Sequence, residues 1–132
     1  MAEHVDESTV EQAAKEWFGE LGYTVGYAPD DAPVGQEPGA QRATYADAIL
    51  WPKVRQGLTR LNPGESTATI EAALKRIERA ESQDASAENY RLHQLMVEGV
   101  PVEARGADGH TTTRRLALID FENPQANDWL VL

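Results

Sequence analysis

Asp120 and Glu122 stand two apart in the run Leu118-Ile119-Asp120-Phe121-Glu122. On an extended segment alternate side chains share a face, so the two carboxylates could hold one divalent metal. Acids just before Asn123-Pro124 also make turns, because their oxygens accept from backbone N–H groups a little further along. Turn formation is the preferred reading of the pair. Glu11 stands in the S-x-x-E relation to Ser8, where each side chain can satisfy a backbone N–H of a first helical turn, and capping accounts for it. The histidines at 4, 93 and 110 are not spaced as a ligand set, and without cysteines neither a disulfide framework nor a Cys-bearing zinc site can form. His93, among Tyr90, Leu92 and Met96, reads as a packed and hydrogen-bonded helix residue, and His110 as an exposed one beside a turn. Trp17, Trp51 and Trp129 could stack on bases, but stacking platforms come with basic grooves and these neighbourhoods are acidic or neutral, so core packing is expected of all three. The chain has no G-x-x-x-x-G-K-[ST] loop and no G-x-S-x-G elbow, so neither an ATP site nor a serine hydrolase can be assigned to it.

The elements that must position these residues are legible in the spacing. Val10, Ala13, Ala14, Trp17, Phe18 and Leu21 recur with helical period, Gly22 follows where a cap glycine belongs, and Tyr23-Thr24-Val25 then reads as a short strand. Residues 28–44, rich in Pro, Gly, Asp and Gln, form a loop inside one domain. Tyr45 to Leu61 has helical spacing interrupted by Pro52, which predicts two short helices or one bent helix. After Asn62-Pro63-Gly64, Ser66 or Thr67 can cap a helix that turns Ile70, Ala73, Leu74 and Ile77 inward, pairs Glu71 with Lys75, and fades near Ala80. A fourth helix, Ala87 to Val97, offers Tyr90, Leu92, His93 and Met96 for packing and ends at Gly99. A hairpin follows: Val100 to Arg105, a turn over Gly106 to Gly109, and Thr111 to Phe121. Trp129 to Leu132 begins a further strand that looks cut. This order, without a fixed-period repeat, predicts the α+β class.

The net charge of −10 is uneven: residues 1–50 hold ten acids against Lys15 and Arg42, whereas residues 51–100 balance seven against seven. Nucleic-acid affinity comes largely from Lys and Arg neutralising phosphates, so the chain does not read as a self-sufficient DNA-binding module. At 132 residues it is one domain or part of one. No signal peptide and no apolar run long enough for a membrane span is present, and the absence of cysteine suits a reducing compartment. A cytoplasmic protein without membrane association is expected.

Five stretches occur in one order: Glu16 to Tyr23, Arg42 to Leu50 (RATYADAIL), Leu61-Asn62-Pro63, Glu98 to Val102, and Leu118 to Leu132 (LIDFENPQANDWLVL). Together they resemble the N-terminal region of type I restriction enzyme R subunits, over nearly the whole chain. The resemblance implies that residues 1–132 are the N-terminal part of one nuclease domain of the PD-(D/E)XK type, ahead of motor domains that translocate DNA. It implies Mg²⁺ and ATP as cofactors of the full-length enzyme. It also implies the rest of the R subunit, methyltransferase and specificity subunits as partners, with DNA engaged only in the full complex.

Such nucleases hold Mg²⁺ with an Asp on one strand and the Glu of an E-x-K on the next, the Lys helping to activate water. Lys15, Lys53 and Lys75 are preceded two places earlier by Ala13, Trp51 and Ala73, so the chain contains no E-x-K. Glu103-Ala104-Arg105 is the nearest imitation, but a guanidinium cannot give up a proton, and a solvated strand face is expected there. No catalytic, cofactor or metal residue is therefore assigned, with Glu11 and Asp120 kept as accessory candidates. Three roles follow: a scaffold for the catalytic strands of a restriction nuclease, an acidic DNA mimic that blocks such enzymes, or a free-standing interaction domain. The first expects an Asp-bearing strand and an E-x-K beyond Leu132.

Overall fold

In the computed structural model, which describes residues 6–26 and 49–131, the first helix begins one residue after Asp6. The Asp6 carboxylate accepts from the Thr9 N–H at 2.8 Å and from the hydroxyls of Thr9 and Ser8, so Asp6 is the cap of α1 (Glu7–Glu20). This corrects the expected Ser8–Glu11 box. The cap lies two residues upstream, where a carboxylate can serve three donors at once, and Glu11 falls in the second turn, out of reach of the free N–H groups. The apolar face expected of this helix is also uncovered: α1 has no buried residue, and Trp17 and Leu21 are 67 % and 75 % exposed.

The chain divides into two compact units. In the first, β1 (Thr24–Val25) pairs in parallel with β4 (Leu130–Val131), Thr24 opposite Leu130 and Val25 opposite Val131. The Thr24 and Gly26 N–H groups donate to the carbonyls of Trp129 and Val131 at 2.7 and 2.8 Å. Tyr23 lies between Phe18 and Trp129, with ring centroids 4.9 and 5.8 Å away.

The second unit, residues 49–127, holds the core. Its helix α2 (Trp51–Leu61) starts at Trp51 with Pro52 in its first turn, where the missing N–H has no helical partner anyway. Over the described residues this is one uninterrupted helix. Of the two alternatives, the single bent helix gives way to a helix start that holds Pro52, and the pair of short helices turns on residues 45–48, which with the loop 28–44 lie outside the described residues. Ser66 caps α3 (Thr67–Glu78), its hydroxyl accepting from the Thr69 N–H, and Ile70, Ala73, Leu74 and Ile77 are buried as the spacing predicts. Glu71 pairs with Arg55 of α2 instead of Lys75, because the packing of α2 beside α3 brings a guanidinium within reach.

Helix α4 (Ala85–Glu98) starts at an Asp84 cap, two residues earlier than its period suggests, and Leu95 is its one buried residue. Leu92 packs on the core, whereas Tyr90, His93 and Met96 are exposed, so the face expected to pack is rotated toward solvent. The hairpin forms from β2 (Val100–Arg105) and β3 (Thr111–Leu116) in antiparallel register, Val100 opposite Leu116 and Arg105 opposite Thr111. Val100, Val102 and Ala104 point inward and Glu103 and Arg105 outward, the period of two in a half-buried strand. Leu58, Leu116 and Val100 are the largest fully enclosed side chains of a core shared by α2, α3, α4 and the hairpin. The four helices and two small sheets make an α+β fold. No helix among the described residues is long and apolar enough to cross a membrane.

Candidate functional site

Strand β3 stops at Leu116, five residues short of the expected Phe121, and the reason lies in Asn62. Its side-chain carbonyl accepts from the Ala117 N–H at 2.8 Å, and its side-chain amide donates to the carbonyls of Ala117 at 2.9 Å and Leu58 at 2.8 Å. One amide side chain thus replaces the strand partner that Ala117 would otherwise need, and closes the end of α2 with the same atoms.

A second amide repeats the device at Asp120, three residues beyond Ala117. Asp120 donates its backbone N–H to Oδ1 of Asn127 at 2.8 Å, and its carbonyl accepts from Nδ2 of Asn127 at 2.9 Å. The Asp120 carboxylate turns inward on its own loop and accepts from the N–H groups of Glu122 and Asn123 at 3.1 and 2.9 Å. A 3-10 turn over Pro124–Ala126 closes this loop, and Arg60 of α2 donates to the Ala126 carbonyl at 3.1 Å. Asp120 is therefore the turn former anticipated for it, and Glu122 is exposed beside it.

The remaining candidates are scattered. Glu11 is exposed on α1. Glu103 and Arg105 lie on the exposed face of β2, Arg105 donating to the Gly109 carbonyl at 3.4 Å, as a solvated strand face would have it. His110 is exposed as expected, and so is His93, which overturns its reading as a packed residue: on α4 the inward line runs through Leu92 and Leu95. Of the tryptophans, Trp51 packs against the core, while Trp17 lies on the uncovered face of α1 and Trp129 meets Tyr23, so core packing describes only the first. Among the described residues no group of three or more His, Asp or Glu side chains converges in a way that could hold a metal ion. Within this loop one oxygen of the Asp120 carboxylate serves two backbone donors.

Two ionised groups carry a resolved preference. Hydrogen bonds from Arg91, from the N–H groups of Glu81 and Ser82, and the charge of Arg91 hold the Glu88 carboxyl below its ordinary range. The Thr9 hydroxyl and N–H do the same for Asp6. Both are helix-end devices. Arg91, mostly enclosed with Glu88, also donates to the carbonyls of Arg76 and Ile77 at 3.0 and 3.1 Å, so α4 supplies the cap that α3 lacks.

Spacing alone did not single out Asn62, Asn127, Arg91 or the cationic end of α3. The first two follow turn-like sequence, and the available signal was an Asn beside Pro in Leu61-Asn62-Pro63 and in Asn123-Pro124 to Asn127. Residues 4–132 match the family model of the type I restriction enzyme R protein N terminus. The chain is 27 % identical over 126 residues to a Methanocaldococcus jannaschii protein named as the endonuclease subunit of a type I restriction enzyme, covering 96 % of this chain and 12 % of that protein. No solved structure matches it.

Proposed function

Because the chain belongs to the family of type I restriction enzyme R protein N termini, we propose that it is the structural front of the R subunit's nuclease domain and that the chemistry resides elsewhere in the full-length subunit. In this reading residues 1–132 are part of one restriction-endonuclease-like domain of the PD-(D/E)XK type. The full-length protein is a hydrolase that binds and cleaves DNA in an ATP- and Mg²⁺-dependent way. It assembles with methyltransferase and specificity subunits in the cytoplasm, and its E-x-K and metal-binding Asp stand on strands outside residues 1–132.

The observation that carries the proposal is the use to which the family-like motifs are put. Leu61-Asn62-Pro63 and Leu118 to Leu132 contain the most distinctive polar residues of the chain, and these bind backbone. Asn62 holds Ala117, Asn127 holds Asp120, and Asp120 holds its own turn. Residues spent on backbone geometry position the segments they hold. The sequence adds that none of its three lysines follows an acid at E-x-K spacing.

Nicking of supercoiled plasmid tests the reading. The chain alone with Mg²⁺ leaves the plasmid intact, whereas a full-length R subunit assembled with its methyltransferase and specificity partners cleaves when ATP is added. Mg²⁺-dependent nicking by residues 1–132 would overturn the scaffold role.

A further inference from the structure

The C-terminal end of α3 carries Lys75, Arg76 and Arg79 at i, i+1 and i+4, together on the rim of an open cavity of about 500 Å³ completed by Ala72, Ala80 and Glu81. Cations at a helix C-terminus ordinarily answer the partial negative charge of its free carbonyls. Here that charge is already met. Arg91 reaches from α4 to the carbonyls of Arg76 and Ile77, and the Arg79 N–H donates to the Lys75 carbonyl at 3.0 Å. The side chains of Lys75, Arg76 and Arg79 are thereby released from capping and stand over the cavity, three cations against one acid.

That acid, Glu81, meets Arg76 at 3.6 Å with both side chains 52 % exposed, an ion pair too solvated to hold the guanidinium against a better anion. An adjoining concavity shares Arg76 and Glu81 and adds Arg91, Arg115 and Glu98, the last two in a solvated pair at 3.7 Å. The acidic excess of the chain is concentrated elsewhere in the sequence. Ten of the 22 acids lie in residues 1–50, and residues 51–100 are balanced.

We propose that this cavity is a phosphate-binding subsite for the DNA backbone. Arginine guanidinium groups bind phosphate oxygens in a fork and lysine adds a point charge, and such contacts give position without sequence readout. The choice of DNA among polyanions rests on the R-subunit reading; the anion site itself rests on the geometry. The net charge still excludes a self-sufficient DNA-binding module, so the subsite adds to a grip completed by the full-length subunit.

An NMR titration of this chain with a short DNA duplex at low ionic strength tests the proposal. Amide and arginine side-chain resonances of residues 75–81 shift, and the affinity falls with salt with a log–log slope of about −3 for three phosphate contacts. The double variant Lys75→Gln/Arg79→Gln, at exposed positions away from the core, keeps its core resonances and loses about two from that slope. Absence of shifts at 75–81, or the same salt slope in the double variant, overturns the subsite. Equal shifts with polyglutamate at matched charge concentration overturn its assignment to DNA. Because plasmid cleavage tests the R-subunit reading separately, either result leaves that reading standing or falling on its own.

Discussion

Asn62 contacts three backbone groups with one half-buried amide, and because the Leu58 carbonyl also accepts from the Asn62 N–H, its loss strands the N–H and the carbonyl of Ala117 at the junction of α2 and β3. Leaving a buried polar group unpaired costs about 1–3 kcal/mol, and Asn62→Ala is expected to lower stability by that amount in urea denaturation. Asn62→Asp has the right shape but no amide donor, and is expected to recover only the bond to the Ala117 N–H. Gly99 is constrained differently. It joins α4 to β2 at φ +87° and ψ 164°, a region almost closed to other residues, and a Cβ there would lie 3.0 Å from the Leu116 carbonyl oxygen. Gly99→Ala therefore combines backbone strain with a clash against a strand and is expected to cost about 1–3 kcal/mol, read from the same denaturation curves. The residues that looked most like chemistry fare otherwise: Asp120 was legible as a turn former because an acid before Asn-Pro accepts from the following N–H groups wherever it occurs.

The helix ends are where charge enters stability. Glu88 receives a hydrogen bond from Arg91 and two from the backbone of the α3–α4 connection, and these hold its carboxyl below the ordinary 4.5. Folding thus favours the ionised form. Its contribution is complete above pH 4.5, fades as the pH falls through the lowered value, and is gone below it. Glu88→Gln should remove this portion of the acid sensitivity, so the difference in urea midpoint between wild type and variant narrows as the pH is taken below 4.5. Asp6 acts in the same direction on α1, where Asp6→Ala is expected to fray the first turn, seen as reduced amide protection at Thr9 and Val10. Helix existence was legible from apolar spacing in every case. The start of α3 falls at Ser66, one of the two residues read as its cap, whereas the start of α1 was misplaced because the carboxylate of Asp6 serves the donors that Ser8 was expected to serve.

Across the molecule burial is unequal. Helix α1 buries no side chain, while α3 buries Thr69, Ile70, Ala73, Leu74 and Ile77. Local opening free energy follows buried apolar contact, so hydrogen exchange is expected to be fastest in α1 and slowest in α3 and β2. Leu58, fully enclosed, marks the core shared by α2, α3, α4 and the hairpin, and Leu58→Ala is expected to cost about 2–5 kcal/mol and to lower protection throughout residues 49–127.

The α+β class, the inward line of α3, the hairpin with its turn, and the absence of an E-x-K could be read from spacing and composition, because each depends on neighbours within a few residues or on composition alone. Which groups meet across long separations is settled by packing. Thr24 pairs with Leu130, Asn62 with Ala117, Arg55 with Glu71, and Arg91 with the end of α3. No local period encodes such contacts, since their free energy exists only once the intervening chain is packed. The same reason explains the faces of α1 and α4: spacing reveals that a helix has an apolar side, but what covers that side is a property of the neighbours the fold supplies.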